Sequence, residues 1–316
     1  MQPDSIAIMG VGRLGGNLAQ ELVRCDTFSK IYLSNRSASG IDSLVLSLRV
    51  FASCIGSKTA IYAINEQIPQ DVSAVVIAVK ENYDPRVLLQ SERLPQGLER
   101  NVRNIGIKKD IPLVRDVCIK LRGYKGKIFV LSNPVDVFTV LVKEWIPTAE
   151  VYGLGVTLDA VRLAYCAQQR GIKCCANDCH LGGAHTGKLV QLRSLWNHQS
   201  AFIAQPELVV EDLLQAASKI GPAIVRGLGF TLHDCVAVFS QDIAWFVGKN
   251  TAREYLCASV GNDSTAAAWP LKYSSESGRI EIVDALPSNE RCQLESASKL
   301  VSVAVSVVRS KLVGSL

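Results

Sequence analysis

The stretch Ile6-Ala7-Ile8-Met9-Gly10-Val11-Gly12-Arg13-Leu14-Gly15 decides how this chain is read. Four apolar residues run straight into glycines spaced G-x-G-x-x-G, and a helical pattern follows over 14–23. This is a strand, a tight turn and a helix, the context in which that spacing has chemical meaning. Gly10 permits the turn, Gly12 lets a ligand approach the backbone, and Gly15 lets helix and strand pack closely. The helix start, at Arg13 and Leu14, presents free N–H groups and a positive dipole end to an anion such as a pyrophosphate. The stretch therefore predicts a dinucleotide site built from Gly10, Gly12, Arg13, Leu14 and Gly15.

Outward from it, short β-branched runs alternate with helical patterns. Strands are expected at 5–9, 30–33, 60–63, 72–79 and 127–131. Helices are expected at 14–23, 44–54 and 111–121, with another beginning near Pro134. Residues 72–79, VSAVVIAV, are apolar without a break, as in a central strand covered on both faces. The alternation predicts an α/β fold with a doubly wound parallel sheet. The pattern changes around 147–157. Beyond it come helices at 157–170 and 207–227, the second carrying Pro222 as a kink, and a helical segment at 242–246. A Gly-rich turn, LGGAHTGK, fills 181–188, and a loosely apolar segment around Cys174 reads as a buried strand. Antiparallel strands are expected at 256–260, 267–273 and 280–282, with Pro270 confining the second to an edge or a bulge. A final helix runs from Pro287 to about 308. The division falls near Pro147: residues 1–147 form a dinucleotide-binding domain and 148–316 an α+β substrate domain.

The second strand ends Ser34-Asn35-Arg36-Ser37. A site for unphosphorylated ribose usually has Asp or Glu here. Asn35 removes that carboxylate, and Arg36 with Ser37 would then suit a 2′-phosphate. The expectation is NADP, with NAD as the alternative.

Composition narrows the classes. With 34 Lys+Arg against 29 Asp+Glu in 316 residues, the net charge of +5 gives no basis for a nucleic-acid or polybasic membrane partner. No apolar run approaches the ~20 residues of a membrane span. The start, MQPDSIAIMG, lacks the basic region of a secretory signal. Ten scattered cysteines point to reduced thiols in the cytoplasm. Cys174-Cys175-x3-Cys179-His180 has no second C-x-x-C partner, so no metal site is expected.

Four further segments carry the chemistry: Ser132-Asn133-Pro134-Val135-Asp136, Leu158-Asp159-Ala160-Val161-Arg162, Gly183-Ala184-His185-Thr186-Gly187 and Gly229-Phe230-Thr231. Asp159 and Arg162 are i,i+3 and share a helix face. A guanidinium grips a carboxylate bidentately, and an imidazole titrating near ~6.5 suits proton transfer at neutral pH. In order and separation, these segments and the Gly-rich turn resemble the S-N-P-V-D, L-D-x-x-R and G-x-H-x-G motifs of the malate/lactate dehydrogenase family, malate dehydrogenase most of all. The resemblance spans essentially the whole chain. It implies an N-terminal Rossmann sheet, a C-terminal substrate domain, hydride transfer between a nicotinamide cofactor and a small 2-oxo or 2-hydroxy acid, and a homodimer or homotetramer. His185 would be the proton donor with Asp159 behind it. Arg162 would hold the C1 carboxylate, Asn133 would lie near nicotinamide and substrate, and Thr231 would line the pocket.

The family's mobile-loop arginines fall on Arg93-Leu94-Pro95-Gln96-Gly97-Leu98-Glu99-Arg100, which carries one extra residue relative to R-x-P-G-x-x-R. Arg93 would clamp a distal carboxylate and Arg100 would polarise the carbonyl, with oxaloacetate/malate as the lead pair. Arg86 and Arg103 are rival assignments, and a lactate-like or bulkier 2-oxo acid is the rival substrate. Two other classes keep a place. Cys179-His180 superficially matches NAD- and metal-dependent glycosidases, and the irregular loop leaves room for a non-catalytic dinucleotide-binding protein. The N-terminal stretch with Ser34-Asn35-Arg36-Ser37 also looks like pyrroline-5-carboxylate reductases, which the second half does not fit.

Overall fold

The computed structural model describes residues 5–36, 40–64, 67–94, 98, 103–185, 187–196, 198, 200–230, 233–249, 253–262, 266–274, 277 and 279–313. Six strands form its parallel half: β1 (Ser5–Met9), β2 (Lys30–Ser34), β3 (Ala60–Ala63), β4 (Ala74–Ile77), β5 (Lys127–Val130) and β6 (Glu150–Gly153). They lie in the order β3-β2-β1-β4-β5-β6, with β1 at the point where the winding reverses. β6 lies past Pro147, so the parallel sheet runs across the division expected there. Antiparallel strands β7 (Leu181–Gly183), β8 (Leu189–Gln191), β9 (Tyr255–Ser259), β10 (Ala268–Ser274) and β11 (Arg279–Ile282) extend the sheet through a pairing of Gly153 with Ser259.

Alternation along the parallel strands feeds two cores, one on each face. Ala7, Met9, Val75, Ile77, Ile128 and Val130 face one, and Ile6, Ile8, Ala74, Val76 and Phe129 face the other. The first core is closed by α4 (Ile107–Lys120), α5 (Val135–Trp145), α6 (Val156–Gln169), α7 (Glu207–Leu228) and α9 (Ser288–Val308). The second is closed by α1 (Arg13–Arg24), α2 (Ile41–Ile55) and α8 (His233–Phe246).

Among the differences from the sequence expectation, three have a local physical reason. A short helix, α3 (Pro85–Ser91), forms because the Asp84 side chain accepts from the Arg86 N–H and Pro85 fits the first turn. Residues 174–180 are a loop, turned by the Asp178 carboxylate accepting from Cys175 N at 2.6 Å, and not a strand. β10 is interior, paired with β9 along one side while the other side passes from β7 to β11. Pro270 is tolerated there because its carbonyl accepts from Val283 N at 2.9 Å on the β11 side. In a strand, N–H and C=O of one residue point the same way, so the missing donor costs the β9 ladder nothing.

Candidate active site

The Gly-rich turn sits where the sequence places it. Gly10 has φ +98°, and its N–H donates to the Ser34 carbonyl at 2.8 Å. A Cβ on Gly10 would lie 2.7 Å from the Ala78 carbonyl, so the turn is wedged between the ends of β2 and β4. Gly12 caps α1 without a side chain and has open space within 4 Å of where its Cβ would be. An uncapped helix start beside that space fits a dinucleotide pyrophosphate. Asn133 is exposed just beyond β5, at the same end of the sheet.

Arg36 behaves differently from the expectation of a cation free for a 2′-phosphate. Its guanidinium grips Glu81 bidentately, at 2.7 and 3.0 Å. The loops after β2 and β4 flank the turn on opposite sides, so the two side chains meet. Asn35 turns its Oδ1 back to accept from Arg36 N. Ser37 lies outside the described residues.

At the other end of the site, His185 follows β7 and Asp159 and Arg162 project from α6. His185 Nδ1 lies 2.7 Å from Asp159 Oδ2, and all three residues are buried. Asp159 Oδ1 takes Arg103 Nη2 at 3.0 Å and faces Arg162 Nη1 at 3.9 Å. Arg103 also donates to the His185 carbonyl. Burial opposes ionisation of Asp159, but His185, Arg103 and Arg162 together hold its carboxyl below the usual carboxylate range. Burial, helped by the Arg103 charge, holds His185 below its ordinary value despite Asp159. The pair is thus a carboxylate beside a neutral imidazole whose Nδ1–H donates to it, leaving Nε2 for chemistry.

Space for these side chains comes from glycines. A Cβ on Gly155 would stand 2.8 Å from His185 Cγ, and one on Gly221 would stand 2.8 Å from Arg162 Nη1. Gly221 precedes the Pro222 read as a kink, and Pro222 lies inside α7. Arg162 has a further partner that no motif announces. Its Nε and Nη2 donate to Asp234 Oδ2, at 3.1 and 2.8 Å, from the first turn of α8.

The loop arginines separate. Arg103 reaches the His185–Asp159 pair. Arg93 is exposed, and its carbonyl accepts from Lys108 Nζ at 3.0 Å. Arg86 pairs with Asp84 at 2.7 Å and lies against Gly229. Arg100 and Thr231 lie outside the described residues. The signal for Arg103 was its place among the rival arginines; what the sequence lacks is the path of the loop that brings it inward. Cys174 and Cys179 are buried and Cys175 is exposed. Burial pushes the neighbouring His180 down to about 4, with its ring edge-on to Tyr255.

No family model matches the chain. It is 25% identical over 317 residues to a malate dehydrogenase of Dehalococcoides mccartyi, covering 95% of this chain and 98% of that one. It is 23% identical over 281 residues to an L-lactate dehydrogenase of Bifidobacterium animalis subsp. lactis, covering 83% and 82%. The fold matches the crystal structure of a lactate dehydrogenase from a Medee basin deep-sea metagenome library with a TM-score of 0.80, at 19% identity over 98% of this chain and 100% of that one. These two relatives and the fold point the same way as the motifs, to the malate/lactate dehydrogenase family.

Proposed function

We propose that this chain is a nicotinamide-dinucleotide-linked dehydrogenase that interconverts a small 2-hydroxy acid and its 2-oxo acid. The observation that carries the reading is the buried His185–Asp159 pair at 2.7 Å with Arg162 and Arg103 on the same carboxylate. When bound, the nicotinamide supplies or accepts the hydride at the substrate's second carbon. Gly10, Gly12, Arg13, Leu14 and Gly15 would hold the dinucleotide, with Asn133 exposed past β5 at the same end of the sheet. His185 Nε2 takes the hydroxyl proton in oxidation and returns it to the carbonyl oxygen in reduction. Asp159 fixes the imidazole and stabilises its charged form. Arg162 holds the substrate's C1 carboxylate, which must compete with Asp234 for the guanidinium.

Arg103 is the arginine we assign to polarise the carbonyl, a role the sequence assigned to Arg100, because it already stands beside both members of the pair. Oxaloacetate/malate remains the lead pair, with Arg93 as the clamp for the distal carboxylate. The exposed side chain of Arg93, with Arg86 placed nearer α7, favours a monocarboxylic 2-oxo acid as the second reading. A second copy of the chain is the proposed partner, and Leu46 and Val50 of α2 stand exposed at 63% and 56%. The ten free cysteines support a reducing compartment such as the cytoplasm. No helix among the described residues is long and apolar enough to cross a membrane.

The test is oxidation of NADH and of NADPH with oxaloacetate, pyruvate, 2-oxoisocaproate and phenylpyruvate. Turnover is expected with at least one acid, fastest with oxaloacetate. Absence of turnover with all four, under conditions where dinucleotide binds, would favour a non-catalytic binding protein.

A further inference from the structure

The Arg36–Glu81 pair lies beside the turn that holds the cofactor, and it changes what that corner recognises. Met9 of β1 is in register with Ser34 on one side and Ile77 on the other. Gly10 N donates to Ser34 O at 2.8 Å, and Ala78 N donates to Met9 O at 2.9 Å. The chain segments leaving β2 and β4 therefore start level with each other, one on each side of the Gly-rich turn. Arg36 is two residues past Ser34, and Glu81 is four past Ile77. Their ion pair joins the two segments beside the mouth of the turn.

An acid at the end of β2 ordinarily accepts from the adenosine ribose hydroxyls. This chain has Asn35 there, a neutral amide whose side-chain oxygen accepts from Arg36 N at 3.0 Å. A carboxylate nevertheless reaches that corner from the opposite strand. We infer that Glu81, positioned by Arg36, is the ribose-reading acid of this chain and selects the unphosphorylated dinucleotide, NAD(H), over NADP(H).

Three observations support a built arrangement. The Glu81 backbone is anchored, its N–H donating to Asp110 Oδ1 at 2.7 Å. Asp110 is buried and its other oxygen accepts from Tyr83 Oη at 2.7 Å, so the loop after β4 is tied to α4 at two points. The Glu81 carboxylate also accepts from Asn82 N at 2.9 Å, which fixes the side chain on its own loop. Hydrogen bonds from Arg36 and Asn82 keep the carboxyl down at about 2, so it is charged throughout the physiological range. The carboxylate's remaining lone pairs can accept from ribose hydroxyls, whereas Arg36, held by Glu81, is not left for a 2′-phosphate. The expectation of NADP(H) depended on the same Arg36 being free.

This inference rests on the dehydrogenase reading, and direct binding separates the two. Affinities for NADH and NADPH would be measured by calorimetry on wild type, Glu81→Gln, Glu81→Ala and Arg36→Ala, with thermal melts to confirm folding. Wild type is expected to bind NADH at least about tenfold more tightly than NADPH. Glu81→Gln and Glu81→Ala should each narrow that ratio at least about tenfold, chiefly by a gain in NADPH affinity as Arg36 is released. Arg36→Ala should weaken NADH and keep the preference, as for a positioning residue. Equal or tighter NADPH binding by wild type, or a ratio unmoved in both folded Glu81 variants, would overturn the role of Glu81 and leave the dehydrogenase reading standing. Failure of wild type to bind either dinucleotide would overturn both.

Discussion

The two ends of the site are built from different materials. The cofactor end is made by backbone: a glycine turn wedged between β2 and β4, an uncapped helix start and open space at Gly12. The substrate end is made by charge: one buried carboxylate, Asp159, in contact with His185, Arg103 and Arg162. On the proposed reading, the first would recognise a dinucleotide by shape and by what is left out. The second depends on a balance of charge and burial that holds Asp159 below the usual carboxylate range and His185 below its ordinary value. Substitutions at the two ends should therefore fail in different ways.

The largest effect is expected at His185. His185→Asn keeps a polar side chain near Asp159 but removes the proton carrier, and kcat should fall by ~10²–10⁴-fold. Dinucleotide affinity should stay within about twofold of wild type, since His185 contributes nothing to the glycine turn. Steady-state rates and a binding titration on the same preparation check it. Comparable losses of both would mean that the two ends are not separable.

Arg162 comes next. Arg162→Lys keeps the charge and loses the fork, so kcat/KM for the acid should fall by roughly 10²-fold, with KM rising and kcat falling. A silent substitution would reduce Arg162 to the structural partner of Asp159 and Asp234. Gly221→Ala is the companion test. It places a methyl 2.8 Å from Arg162 Nη1 and should raise KM without touching dinucleotide binding.

At the cofactor end, two glycines one helical turn apart give opposite expectations. Gly15→Ala drives a methyl into the Gly10 carbonyl and should cost about 1–3 kcal/mol in denaturant unfolding. Gly12→Ala meets no atom within 4 Å, so its stability cost should stay within about 1 kcal/mol, from the poorer helix cap. Its dinucleotide affinity should nonetheless drop about tenfold, because the methyl fills the space kept for pyrophosphate. Equal affinity in Gly12→Ala would show that the space serves no ligand.

The same contrast explains what the sequence made legible. The strand Ile6–Met9, the turn and α1 are contiguous, so local spacing was enough to place the glycine turn and the helix start behind it. Asp159 and Arg162 share one helix, and their common face was readable from i,i+3 spacing. Arg103 was not separable from Arg93 and Arg100, because which arginine turns inward depends on the course of a loop with no periodicity. Asp234 was invisible for the same reason: it meets Arg162 only when α8 packs beside α6. Glu81 was passed over because the acid was sought at the end of β2, whereas sheet order brings the end of β4 to the same turn.

The smallest expected effect tests the charge balance itself. Burial and the nearby Arg103 hold His185 below its ordinary value of 6.5, while Asp159 pulls the other way. A depressed value means the imidazole is neutral from high pH down past 6.5. Oxidation of the hydroxy acid needs that neutral form, so its kcat/KM should be flat from about pH 8 to 6.5 and fall only on further acidification. Reduction needs the protonated form and should decline over the same range as pH rises. Arg103→Met removes one of the two forces that depress His185, so the acid limb of oxidation should move to higher pH, beyond any fall in rate from lost polarisation. A limb that stays in place while the rate falls would confine Arg103 to the substrate carbonyl and leave burial alone to hold His185 neutral. A limb that moves would show that this arginine also sets the proton affinity of the group beside it.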